Sequence, residues 1–312
     1  MIVVPMKPLH IETPFFESRS MSISAGRTVW LKLEALQPPG SFKIRGIGLA
    51  CQEYVRRGAK RLISSSGGNA GIAVAYAGRH LSVPVVVVVP ETTTDRAKSL
   101  IRQEGAEVIV HGPTWHEANA LALSMVKESD AFLHPFDDPL LWQGHASLVD
   151  EVVRSGVKPD VIVLSVGGGG LLSGVMEGLH RNGWIDVPVI AVETEGADAL
   201  AQSIRAGSRV ALSAITSIAT SLGATQICEK AFSWSKNHPL RSIVVSDRAA
   251  VSACLRFLAE QRVVVEPACG ASLAVVYDSA PELEAFKSVL VVVCGGVTAS
   301  LEKLGEWSKK YA

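Results

Sequence analysis

An α/β protein built on two open, twisted, mostly parallel sheets flanked by helices is the fold class the sequence predicts. Short β-branched runs alternate with longer stretches of helical periodicity along the chain. Several runs are apolar without a break, as in strands covered on both faces; "VPVVVVVP" (83–90) and "SVLVVVCGG" (288–296) are the clearest. With 312 residues, 48 % of them hydrophobic, the chain can bury one large or two medium cores.

The first strand is "TVWLKLEAL" (28–36), ended by Pro38, Pro39 and Gly40. In the helix that follows, Ile44, Ile47, Cys51, Tyr54 and Val55 keep helical spacing, with Ser41 as N-cap and Gly58 as stop. Strands are then expected at "RLISSS" (61–66), 83–90 and "AEVIVHG" (106–112). Together these make one βα set, a small domain over 37–138. "HPFDDPLLWQG" (134–144) reads as a crossover rich in Pro and Asp. Strands at "DVIVLSV" (160–166), "PVIAVE" (188–193), "RSIVVSD" (241–247) and 288–296 form a larger domain, residues 1–36 together with 139–312.

Composition excludes several classes of function. Thirty basic and thirty acidic residues cancel, which leaves no electrostatic reason to expect nucleic acid or an anionic membrane as partner. The longest apolar runs are too short to cross a bilayer, and no N-terminal stretch has the form of a signal peptide. The five cysteines, Cys51, Cys228, Cys254, Cys269 and Cys294, are odd in number and scattered. They suggest neither a disulfide framework nor a zinc site, but a reducing, cytoplasmic setting.

Three glycine-bearing turns follow strands: "SSSGGNAG" (64–71), "SVGGGGLLSG" (165–174) and "CGGV" (294–297). In open α/β sheets, ligands sit beyond the carboxyl ends of the strands. Gly167, Gly168, Gly169 and Gly170 remove every Cβ, so backbone N–H groups can converge on an anion at a helix start. A phosphate is the natural guest. A dinucleotide fingerprint competes, with Glu193 as its acid, but neither frame of the run completes Gly-x-Gly-x-x-Gly. Plain turn geometry is the third reading.

Asn69 can stabilise its turn or reach a ligand oxygen. Cys294, which ends an apolar strand, reads by default as an inert core thiol. Lys43 stands in the first turn of its helix, where the local field disfavours a cation by about 0.3–1 kcal/mol. It is either a tolerated surface charge or an amine meant to lose its proton.

In order along the chain, "KPLHIETP", "LKLEALQPPGSFKIRGIG", "SSSGGNAG", "HPFDDPLLWQGHAS", "LSVGGGGLLSGV", "AVETEGA", "ITSIATSLG", "VEPACGASLA" and "VVVCGG" resemble the pyridoxal-phosphate enzymes of the tryptophan-synthase β-subunit fold (fold type II). Within them the resemblance is to the mammalian-type L-serine/L-threonine dehydratases. It implies a lyase that β-eliminates water from serine or threonine, with the cofactor in a crevice between the domains and, in the family, a homodimer. A dehydratase for bulkier 3-hydroxy amino acids and a β-replacement enzyme are the alternatives.

The resemblance also implies roles at matching positions. Lys43 would hold the cofactor as a Schiff base and later take the Cα proton, its pKa lowered by burial, the helix end and Arg45. Phe42 would pack on one ring face, and Ser221, Leu222 and Gly223 would face the other. Asn69 would meet the phenolic oxygen, Gly167–Gly170 the phosphate and Cys294 the pyridine nitrogen. Ser66, Gly67, Gly68 and Asn69 would receive the substrate carboxylate. A monovalent cation, commonly potassium, would sit on Gly167, Glu193, Ala197, Leu222 and Ala224. Ala199 departs from the serine of mammalian members there. Gly67 replaces the serine of racemases, so racemisation is not expected, and it leaves extra space near the substrate Cβ.

Overall fold

The computed structural model describes residues 7–311, so the first six residues of the larger predicted domain and its residue 312 lie outside the described part. Ten strands form two sheets. One has the order β1-β2-β10-β7-β8-β9, from Phe15–Glu17, Thr28–Lys32, Ser288–Val292, Val161–Ser165, Val189–Thr194 and Leu240–Val245. The other has the order β5-β4-β3-β6, from Glu107–Val110, Val85–Val89, Arg61–Ser64 and Asp130–Leu133. Every pairing is parallel except that of β1 with β2. The predicted fold class is therefore the observed one.

The apolar runs become the sheet centres. Every residue of β4, β7 and β8 is buried, because helices cover both faces of a parallel sheet. Two short strands, β1 and β6, join the expected eight. The first predicted strand ends at Lys32, and Glu34–Leu36 forms a 3₁₀ turn. The crossover at 134–144 contains a helix, Pro139–His145, capped by the Asp138 carboxylate on the Leu140 N–H.

Parallel strands put their carboxyl ends on the same side of a sheet. The turn after β3 opens the helix Asn69–Leu81, and the turn after β7 opens Gly170–Arg181. The end of β10 meets the segment 40–42, where Ser41 and Gly295 form an isolated bridge. Among the described residues no helix is long and apolar enough to cross a membrane.

Candidate active site

Lys43 owes its place to the backbone before it. Phe42 N–H donates to the Cys294 carbonyl at 2.9 Å and Gly296 N–H to that of Gly40 at 3.1 Å. This clasp starts the helix Lys43–Arg56 and locks its first residue to the end of β10. Phe42, not Ser41, is the N-cap; Ser41 lies in the clasp with its hydroxyl buried and unpartnered, so no side chain caps the helix. The Lys43 amine donates to the Pro135 carbonyl at 2.6 Å.

Burial pushes the Lys43 pKa down to about 8, against the opposing influence of Cys294, Glu266 and Cys228. Arg45 does not contribute as expected. Its guanidinium is clasped by Glu34 (2.6 and 2.8 Å) and Glu151 (2.6 and 2.7 Å), with Lys32 in the same buried cluster, 2.5 Å from Glu151. Loss of solvent, not a neighbouring cation, favours the neutral amine.

The four glycines follow β7. A Cβ at Gly168 would run into the Phe136 ring, and one at Gly167 would lie 2.9 Å from Leu222 Cα. Gly169 has φ +97°, open to glycine at no steric penalty. Among the described residues, the N–H groups of Gly167–Gly170 donate to no atom of the chain. Four adjacent free donors at a helix N-terminus suit a dianion such as a phosphate.

Asn69 is buried at the start of its helix. Its Nδ2 donates to Glu266 Oε1 at 2.7 Å and lies 3.5 Å from the Ser221 hydroxyl, while its Oδ1 has no partner. Ser221 begins the segment that includes Leu222, buried, and Gly223, exposed. The Cys294 thiol is held well above its ordinary pKa by Cys269 and by burial, so it stays neutral. Phe42 packs edge-on against His145, with ring centroids 4.9 Å apart.

Ser66, Gly67 and Gly68 form the turn before Asn69, each partly exposed. A Cβ added at Gly67 would lie 2.5 Å from Thr93 Oγ1. The Thr93 side chain, in the loop after β4, packs against Gly67. Glu193, at the end of β8, accepts from the N–H groups of Leu200 and Ala201 at 2.8 Å each. Burial pushes its pKa up to about 8. Ala197 returns to bridge Thr194, and Ala224 N–H donates to the Leu222 carbonyl. Among the described residues no group of three or more His, Cys, Asp or Glu could hold a metal ion.

Pro135, Phe136, His145 and Glu266 fall inside motifs quoted above that assigned them no role, and Thr298 lies outside every quoted motif. His145 accepts the Gly46 N–H on Nδ1 at 3.2 Å and is fully buried, so it stays neutral far below its ordinary pKa. The available signal is an acid such as Glu266 that closes an apolar run and opens an apolar helix, leaving it no solvent face.

A buried amine to condense with an aldehyde, free N–H groups for a phosphate, an unpartnered amide oxygen and a neutral thiol fit a phosphorylated aromatic aldehyde. Comparison with known proteins agrees. Bovine L-serine dehydratase/L-threonine deaminase is 46 % identical over 96 % of this chain and 94 % of its own. Human serine dehydratase-like is 47 % identical over 93 % and 91 %. The crystal structure of a fungal L-serine ammonia-lyase from Rhizomucor miehei superimposes with a TM-score of 0.93 at 37 % identity, covering 98 % of this chain and 100 % of that one. The description "Pyridoxal-phosphate dependent enzyme" matches residues 6–295. Both sheets and all three glycine turns fall almost wholly inside that span, and the chain belongs to the pyridoxal-phosphate-dependent enzyme family.

Proposed function

We propose that this enzyme is a lyase that dehydrates and deaminates L-serine, L-threonine or both, releasing pyruvate or 2-oxobutyrate and ammonia. The observation that carries the reading is a buried Lys43 amine clasped through the backbone to a neutral Cys294. The relatives named above act on these amino acids by name.

When bound, pyridoxal phosphate would draw electron density from the Cα of an amino acid joined to it. Lys43 would hold the group and, once displaced, remove the Cα proton. With a pKa of about 8, roughly a tenth of the amine is neutral at pH 7. The N–H groups of Gly167–Gly170 would bind the phosphate. Phe42 would pack on one ring face and Ser221, Leu222 and Gly223 on the other, with Asn69 at the phenolic oxygen. The neutral Cys294 thiol would sit beside the ring nitrogen without holding a proton there by charge, which favours prompt loss of the β-hydroxyl. The turn Ser66–Asn69 would receive the substrate carboxylate.

Several finer points belong to the same proposal. A potassium-like cation on Gly167, Glu193, Ala197, Leu222 and Ala224 is supported by Glu193, a buried carboxyl whose hydrogen-bond partners are two N–H groups. A small domain over 37–138, a homodimer and a cytoplasmic location complete it. The test is keto-acid release from L-serine and L-threonine with no second nucleophile, with and without potassium. Lys43→Ala should be colourless and inactive. No keto acid from either substrate would refute the reading, and activity only with an added nucleophile would make this a β-replacement enzyme.

A further inference from the structure

Glu266 stands at the N-terminus of the helix Pro267–Tyr277, yet its carboxyl does not cap that helix. It is 4 % exposed and turns towards the cofactor residues. Oε1 accepts from Asn69 Nδ2 at 2.7 Å and Oε2 from the Thr298 hydroxyl. Its own N–H donates to the Gly295 carbonyl at 3.3 Å. One carboxyl thus joins the start of Asn69–Leu81 to the loop after β10.

The consequence falls on Asn69. A carboxamide is planar, with two N–H donors and one acceptor oxygen in fixed relation. Once Nδ2 is held on Oε1, the directions of its second N–H and of Oδ1 are set. Asn69 is 7 % exposed, and Oδ1 has no donor in the chain. An amide anchored on one side and unsatisfied on the other is a group prepared for a ligand.

We propose that Glu266 is a positioning residue for the cofactor: by accepting one amide hydrogen of Asn69 it fixes what that amide offers the ring's phenolic oxygen. The proposal rests on the assignment of Asn69 made above. What matters is the acceptor and not a fixed charge. Burial pushes the carboxyl above the ordinary range, opposed by the hydrogen bonds from Thr298 and Asn69 and by the Lys43 charge. A glutamine, whose amide oxygen can accept from Asn69 while its N–H group meets the Thr298 hydroxyl, should therefore replace it.

The test titrates cofactor-free protein with pyridoxal phosphate, reading Kd and the position of the visible absorption band. Glu266→Met, close in length but without the acceptor, should weaken binding about tenfold or more and move the band. Glu266→Gln should stay within about threefold of wild type. In an Asn69→Ala background, Glu266→Met should add less than about threefold, because both changes remove one device. Glu266→Asp withdraws the carboxyl while keeping its charge; it should lose affinity as the Met variant does, and it serves if that variant does not fold. A purely structural role would lower the melting temperature without moving the band.

Wild-type Kd and band in the Met or Asp variant, or a Glu266 effect that multiplies fully with Asn69→Ala, overturns the proposal. A wild-type protein that takes no colour, or a Lys43→Ala protein that keeps it, would instead overturn the proposed function.

Discussion

Removing the lysine at the centre of this site should make the cofactor-free protein more stable at neutral pH. Holding an ammonium whose pKa has fallen from 10.5 to about 8 costs the folded state about 3 kcal/mol wherever both states are protonated. The sign follows from proton counts. Below pH 8 folded and unfolded chains both carry the proton, and the whole cost is present. Between 8 and 10.5 the unfolded chain keeps a proton that the folded one has lost, so stability rises with pH. Lys43→Met abolishes that dependence.

Against this gain stands the lost bond from Nζ to the Pro135 carbonyl at 2.6 Å, worth about 1 kcal/mol. The balance at pH 7 is about 2 kcal/mol in favour of Lys43→Met. By pH 10 only about 1 kcal/mol of the ionisation cost remains, and the two proteins should be nearly equal. Urea unfolding of both cofactor-free proteins at the two pH values measures this, since the other titrating groups are common to both. A variant less stable at pH 7, or a difference that does not change with pH, refutes the account of the amine.

Other outcomes follow from the same contacts. Arg45→Leu leaves Glu34 and Glu151 with Lys32 alone in a buried cluster and should cost about 3–5 kcal/mol in urea unfolding. Arg56→Leu, which breaks a largely exposed pair with Glu53, should cost less than about 1 kcal/mol. Gly168→Ala drives a methyl into the Phe136 ring and should both lower the melting temperature and weaken pyridoxal phosphate binding; Gly305→Ala, with open space around it, should do neither. Gly67→Ala should destabilise by about 1–3 kcal/mol, and Thr93→Ala added to it should recover most of the loss, because Thr93 fills that space.

The sheets are legible where burial on both faces leaves an unbroken apolar run, as in β4 and β7. The strand β6, Asp130–Leu133, has four residues and begins on an acid paired with Arg61, so no run announces it. The same divide holds in the site. Residues that would face a ligand gather into local motifs, because a phosphate loop or a lysine turn is made by consecutive backbone. Their supports do not gather. Pro135 reaches Lys43 across 92 positions, and Glu266 reaches Asn69 across 197; a pairing over that distance has no local pattern.

Arg45 marks the boundary between these cases. Two residues after Lys43, it looks like a cation placed to lower that lysine's pKa. Yet two steps of a helix turn the side chain through about 200°, which puts it on the opposite side of Lys43–Arg56. There the guanidinium meets Glu34 and Glu151 in a buried cluster, where its charge is largely neutralised. The helical period alone argues against direct electrostatic help for Lys43. What Arg45 does for the amine is mechanical: it anchors the first turns of the helix to the 3₁₀ turn after β2 through Glu34 and to the helix Ser147–Arg154 through Glu151. A desolvated lysine, mostly protonated at pH 7 and easily made neutral, can keep its place only if the turn that carries it does not move.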